Sequence, residues 1–443
     1  TSVFMNDPRA ATVQTDAASS LFAHDRFSEA VVLAEEIPQI WTDAEPSLVA
    51  SSLKITGHSR FELGQFHQAE SAYKTLLDTG VLTDSSEVDS INERLMASIY
   101  KQAEATEALG EVDAAIGHFL RIAEVNAGST LAQQGLFDAV AVLESQDRLA
   151  AAALLLDRFR DSYPDHLLGN DAPIRLASMY ERSEQWPLAA QELLIIAETD
   201  VQPELKAQSL YRAAEIYLQL DDVDLALEHF RTYAHTYPAP AEVALEAMNH
   251  MDLLYQRVDD QEKRRFWLNR KIALHKEMGR GATQRATYLA AEAQFVFAED
   301  ERNAFEAIAL TNPLKKSLKT KQTALKRTLS AYEKATDYKV ETFSTASTYR
   351  IANLYSNLAS AVMASERPQK LSALEMEQYE ILLEEQAFPF EEQAIELHEI
   401  NMRRSWEGVY DEWVQLSFTA LRHLMPARFD KDETEVAYVR SIH

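Results

Sequence analysis

The apolar positions of this chain recur every 37 residues. Ala213, Ala214, Ile216 and Tyr217 precede polar Asp221-Asp222; Val223, Leu225, Ala226 and Phe230 follow, and Tyr237-Pro238 closes the unit. One period earlier, Leu176, Ala177, Met179 and Tyr180 precede Gln185, Trp186, Leu188, Ala189 and Leu193. A second period back gives Val140, Leu143, Leu149, Ala152, Leu156 and Tyr163-Pro164, and a third gives Ala103, Val112, Ala115 and Phe119. Ala115, Ala152, Ala189 and Ala226 therefore stand at equal intervals. Upstream the phase loosens. Gly57, Phe61, Gly64, Phe66, Ala69 and Tyr73 form one unit and Phe22, Phe27, Ala30 and Leu33 a weaker one. Between them and the regular units, Thr83-Asp84-Ser85-Ser86 reads as a polar connector ending in a helix cap.

Each unit predicts a hairpin of two helices. A small residue on the first (Ala177, Ala214) admits the second, where another small residue (Ala189, Ala226) marks the closest crossing. Tyr180, Trp186, Tyr217 and Phe230 fill the space beside these contacts, and Pro164 and Pro238 stop the second helix. A lone hairpin leaves one apolar face uncovered, so neighbours must stack.

After Pro240 the pattern changes. Met248, Met251, Leu254 and Tyr255 predict one amphipathic helix, and Phe266, Trp267, Ile272, Leu274 and Met278 predict another that ends at Gly279. Lys263, Arg264 and Arg265 replace the expected crossing alanine, making this a divergent hairpin. Longer helices are expected at 283–300, 314–338, 343–366, 371–405 and 408–425, with Pro389 kinking or splitting the fourth. The expected organisation is thus a hairpin array over 1–240 (about six hairpins), a divergent hairpin over 241–281, a long-helix region over 282–430 and a tail at 431–443. The fold class is all-α.

Composition agrees. Only 11 Gly and 13 Pro in 443 residues leave room for long helices and short connections. The 46% apolar content is globular. Cysteine is absent, which removes disulfides, thiol catalysis and Cys-ligated metal. With 43 Lys+Arg against 70 Asp+Glu, the net charge of −27 repels phosphate and argues against nucleic acid as a partner. No apolar run approaches the length of a membrane span. The chain opens with Thr1-Ser2-Val3, the start expected of a processed or trimmed product.

No motif for chemistry stands out. There is no zinc-binding His-Glu-x-x-His, no phosphate-binding glycine loop and no nucleophile elbow. Gly279-Arg280-Gly281 reads as a helix stop. Glu396, His398 and Glu399 are the densest acid–imidazole cluster, but neighbours one or two apart on a helix do not face each other. The expectation is a non-enzymatic protein without cofactor or metal.

The order small residue, aromatic three later, small residue nine further, aromatic four beyond and terminal proline resembles the tetratricopeptide repeat family, over about residues 15–240. That resemblance implies a right-handed α-solenoid followed by a bundle of longer helices. The Tyr-Pro endings are similar to bacterial envelope members, including outer-membrane assembly lipoproteins and Tol-Pal-associated proteins. Residues 285–430 resemble the C-terminal part of large bacterial repeat proteins that accompany ExbB/TolQ-type motor components. The carrying residues are Tyr349-Arg350-Ile351-Ala352, Glu384 through Glu391, Ala394, His398-Glu399, Trp413 and Leu424 through Phe429. A periplasmic scaffold is implied, with a cytoplasmic one as the alternative.

In such arrays the first helix of each hairpin lines a concave groove. The corresponding residues here are Tyr100, Glu104 and Glu107; Phe137 and Glu144; Ser178, Glu181 and Arg182; and Tyr211, Glu215 and Gln219. Aromatics alternating with carboxylates suit a protein segment with basic or aromatic residues; the other reading is an ordinary solvated face. Against the global charge, residues 312–340 hold eight basic residues and two acids. Lys315, Lys316, Lys319, Lys326 and Arg327 are expected off the apolar stripe, either as a docking face for an acidic partner, lipid or glycan or as a solvated face. An alternative function is a soluble-ligand or glycan module with a pocket where the array meets the long helices.

Overall fold

The computed structural model describes residues 9–369 and 371–430. The expected tail, and the first eight residues of the expected array, lie outside the described residues. Every regular element among those described is helical. Contacts divide the chain into two units, one ending at Leu220 and one starting at Asp221.

The first unit contains α1 (Ala10–Ala23), α2 (Phe27–Ile40), α3 (Pro46–Glu62), α4 (Phe66–Asp78), α5 (Ser85–Ala108) and α6 (Val112–Asn126). It continues through α7 (Thr130–Ser145), α8 (Leu149–Ser162), α9 (Ala172–Arg182), α10 (Trp186–Thr199) and α11 (Pro203–Gln219). Each helix packs on the next, and α1 and α5 also touch the following odd-numbered helices α3 and α7. The crossing alanines explain the close approach: Ala69, Ala115, Ala152 and Ala189 are fully buried. Tyr73, Phe119 and Phe159 fill the space around them.

The turns repeat as strictly as the packing. Gly110, Asp147 and Glu184 all take positive φ, at 78°, 55° and 58°, one period apart. In each case the next residue's N–H reaches back to a carbonyl five residues earlier: Glu111 to Thr106, Arg148 to Leu143 and Gln185 to Tyr180, at 2.8–2.9 Å. This double closure satisfies the last carbonyls of the first helix and aims the second. As expected, α8 stops just before Tyr163-Pro164.

The second unit opens with α12 (Val223–Thr236), α13 (Ala241–Arg257) and α14 (Gln261–Met278), followed by α15 (Gln284–Glu306), α16 (Leu314–Thr336) and α17 (Glu341–Met363). It closes with α18 (Ala373–Arg404), α19 (Glu412–Leu424) and the single turn α20 (Pro426–Phe429). The divergent hairpin has a polar core. Lys271 of α14 is buried and donates to Asn249 Oδ1 at 3.1 Å and Asp252 Oδ2 at 2.9 Å. Arg264 holds the other Asp252 oxygen at 2.8 Å. Burial pushes the nearby Glu292 carboxyl up, although Lys271 lies 3.8 Å away.

Of the two outcomes expected at Pro389, kinking or splitting, the split is corrected: α18 runs unbroken through it. The proline denies a hydrogen bond to the Glu385 carbonyl, but both residues are exposed. Leu383, Ala387 and Ala394 are buried on the other side, and α18 packs on α17. Lys321, another of the basic residues in 312–340, stands apart from the exposed lysines. It is buried, with Nζ 2.9 Å from the Ile308 carbonyl and 3.3 Å from that of Phe305, and it sits 4.4 Å from the Phe305 ring centre. It caps the end of α15, the favourable place for a cation.

Candidate protein-interaction site

The eleven expected groove residues lie on α5, α7, α9 and α11, all in the first unit. They do not form a row of free acids and rings. A column of helix positions one period apart, Asp138, Arg175 and Arg212, reaches back to the preceding hairpin each time. Asp138 accepts the Tyr100 hydroxyl at 2.6 Å, and Tyr100 packs edge-on against Phe119. Burial, helped by Asp138, raises the Tyr100 phenol well above its ordinary range.

Arg175 repeats the motif with opposite charge. Its guanidinium lies 4.7 Å from the Phe137 ring centre and donates to Glu144 at 2.7 Å. Phe137 also meets Phe159 edge-on. Arg212 donates to Glu181 at 2.7 Å and to Glu215 at 3.0 Å, and these bonds hold its own proton more tightly than usual. Arg182 bonds Asp147, the positive-φ residue of the preceding turn, at 2.6 Å. The acids are therefore used largely to lace one hairpin to the next. Each such pair is part-exposed and contributes about 0–1 kcal/mol; their value lies in fixing the spacing of the hairpins.

What remains open is narrower. Glu104, Glu107, Ser178, Arg182 and Gln219 are exposed, while Tyr211 is half-buried. Glu104 accepts from Lys101 of its own helix at 2.6 Å, and among the described residues Glu107 has no cation within ion-pair distance. Sequence reasoning missed the lacing residues, although Arg175 and Arg212 stand one period apart, as do Glu144 and Glu181.

In the second unit, Lys315, Lys316, Lys319 and Lys326 of α16 are exposed, with no acid within ion-pair distance among the described residues. Arg327 bonds Glu301 at 2.5 Å. It borders an open cleft of about 660 Å³ between α14, α15 and α16, with Arg265, Phe297 and Lys334 also on its wall. His398 is buried, and neither ring nitrogen has a hydrogen-bond partner among the described residues; burial lowers its pKa to about 4. Among the described residues, no group of three side chains could hold a metal ion, and no helix is long and apolar enough to cross a membrane.

Comparison with known proteins places these hairpins in context. Residues 208–239 match the tetratricopeptide repeat. No curated protein matches the chain. Among solved structures, the C-terminal part of a repeat-containing protein from Cytophaga hutchinsonii is 13% identical over 62% of this chain and 98% of that one, with a TM-score of 0.27. The TPR domain of P58(IPK) is 14% identical over 86% of this chain and 99% of that one, at 0.23. A Rap protein complexed with competence and sporulation factor is 14% identical over 80% and 99%, also at 0.23. The chain carries a tetratricopeptide repeat at 208–239, and the hairpins α5–α6, α7–α8 and α9–α10 repeat at the 37-residue interval that leads into it.

Proposed function

We propose that the protein is a non-enzymatic interaction scaffold of a bacterial cell-envelope assembly, holding a partner segment along the odd-numbered helices of its first unit. The observation that carries this is periodicity. Arg182 and Gln219 stand one hairpin apart in one helix column, and Glu104 and Ser178 two hairpins apart in another, so exposed polar positions return at whole-hairpin intervals. A surface that repeats along an array fits an extended or helical chain with contacts at regular spacing. The lacing arginines beneath would keep that spacing fixed. The envelope placement draws on the likeness of residues 285–430 to proteins that accompany ExbB/TolQ-type motors.

A photo-crosslinking amino acid at Ser178 or Gln219, compared with one at exposed Gln191 on α10, tests this in bacterial cells. Discrete partner adducts from the first two positions and none from Gln191 are expected. Glu104→Lys with Glu107→Lys should weaken those adducts, because neither acid anchors a neighbouring hairpin. Equal adducts from both faces, or none from Ser178 and Gln219, would end the proposal. Reversing Glu181 or Glu215 is a poor test, since it would confront Arg212 with a second cation.

A further inference from the structure

Helix α18 is apolar on two opposite sides. One side, carrying Leu383, Ala387, Ala394 and His398, is buried. The other carries Leu374, Ile381 and Phe388, spaced seven apart, with relative exposures of 66%, 50% and 57%. At 100° per residue these three lie within about 40° of one another and roughly opposite Leu383. Leu382, 56% exposed, lies about 100° to one side of it. It runs for about 21 Å at 1.5 Å per residue. Scattered exposed apolar side chains are ordinary on a surface, but a row in heptad register on one helix is not.

The stripe and its flanks carry one sign of charge, with Glu385 and Glu392 within about 20° of Leu374 on the stripe and Glu377 and Glu384 beside it. Between Ala373 and Glu392 there are seven glutamates and no lysine or arginine. Glu375 is committed to the Ser372 capping box, and Glu380 lies 4.0 Å from Arg367. Glu377, Glu384, Glu385, Glu391 and Glu392 are exposed and have no cation within ion-pair distance among the described residues.

From these observations we infer that the exposed face of α18 is a docking site for a basic amphipathic helix of another protein. A seven-residue apolar repeat drifts slowly around a straight helix, and a second helix wound left-handed follows that drift. An extended segment could not pair its backbone with a helix surface. Lysines or arginines beside the partner's apolar seam would meet the free glutamates, as in coiled coils with charged flanking positions. A second copy of α18 would instead set seven carboxylates against seven. The basic helix α16 of another copy lacks the anchors, since Ala324, Leu325 and Tyr332 are buried. An anionic bilayer is disfavoured for the same reason of charge. The site is independent of the odd-helix surface in the first unit.

The test uses the full chain and a designed 21-residue helical peptide with leucines in heptad register flanked by lysines. Controls are a peptide of identical composition with its leucines out of register, and the variant Leu374→Ser/Ile381→Ser/Phe388→Ser, which keeps every glutamate. Fluorescence anisotropy should show binding to the wild type that is at least tenfold tighter than for either control. It should also weaken as salt rises. Because the chain has no cysteine, Gln378→Cys gives a unique nitroxide site on the stripe. Its spectrum should broaden with the peptide, while a label at Ser178→Cys stays unchanged. Equal affinity of the scrambled peptide or the triple variant overturns the inference, as does an unresponsive label at 378 with peptide bound. Sedimentation showing a dimer lost in the triple variant, or binding to phosphatidylglycerol vesicles in place of the peptide, overturns it too.

Discussion

Gly135 of α7 sets how closely that helix crosses α6. A Cβ at this position would stand 2.9 Å from the Phe119 carbonyl oxygen and 3.0 Å from Ile122 Cδ1. The oxygen belongs to the backbone of α6 and cannot rotate away. Carbon–oxygen contacts normally settle at about 3.3–3.6 Å, so Gly135→Ala must part the helices by a few tenths of an ångström. That loosens the packing of Phe119, Ile122, Ala132 and Ala139, which share one core. Overpacking of this kind costs about 1–3 kcal/mol, against about 1 kcal/mol gained from alanine's better helix propensity. The net expectation is a loss of about 1 kcal/mol. Gly117, on α6 itself, isolates the propensity effect: nothing lies within 4 Å of its missing Cβ. Gly117→Ala should therefore stabilise by about 1 kcal/mol. Urea unfolding, followed by circular dichroism and intrinsic fluorescence, reads both, with the two units fitted as separate transitions. If Gly135→Ala stabilises the first unit as much as Gly117→Ala does, the close crossing does not exist.

Two further outcomes follow from local chemistry. Glu184 holds φ at 58° without glycine's freedom, so Glu184→Gly should raise the first unit's stability by about 0.5–1 kcal/mol once the greater freedom of the unfolded chain is deducted; a lower urea midpoint would contradict this. His398 is held near pKa 4 in the folded chain, against an ordinary 6.5, by burial. Its neutral form is the one the fold accommodates, so its contribution is complete above about pH 6.5 and lost as pH falls towards 4. His398→Leu should make the second unit's midpoint less sensitive to pH between 7 and 4.5, and parallel pH profiles for variant and wild type would refute it.

The hairpins were readable because their physics is local and repeats. A buried alanine at every crossing leaves a period in the sequence that no other cause would maintain. The turns were readable only in part: Gly110 announces a positive φ, but Asp147 and Glu184 occupy the same backbone state without announcing it. The burial of Lys321 was not legible because it depends on where α15 ends, which is a tertiary fact. That Pro389 leaves its helix unsplit was not legible, because its cost is local, whereas the packing that holds the helix together involves residues on α17. The face of α18 escaped attention because apolar residues on opposite sides of a helix cancel in any one-sided pattern. The charge balance along the odd-numbered helices was not legible, since the arginines that pair with their acids come from the next hairpin.

The coincidence of turn and lacing in the first unit gives the array a grammar of whole words. Cutting out residues 148–184 would join Asp147 to Gln185, a junction with the backbone state already found at Glu184, and would bring Glu144 before Arg212 in the place of Glu181. A deletion or duplication of that length keeps the turn and the Glu144-to-Arg212 pairing in phase, whereas one residue more or less swings the following helix by about 100°. Length variation among descendants of such a gene should accordingly come in quanta of one cassette, with odd lengths confined to connectors such as the one before α5.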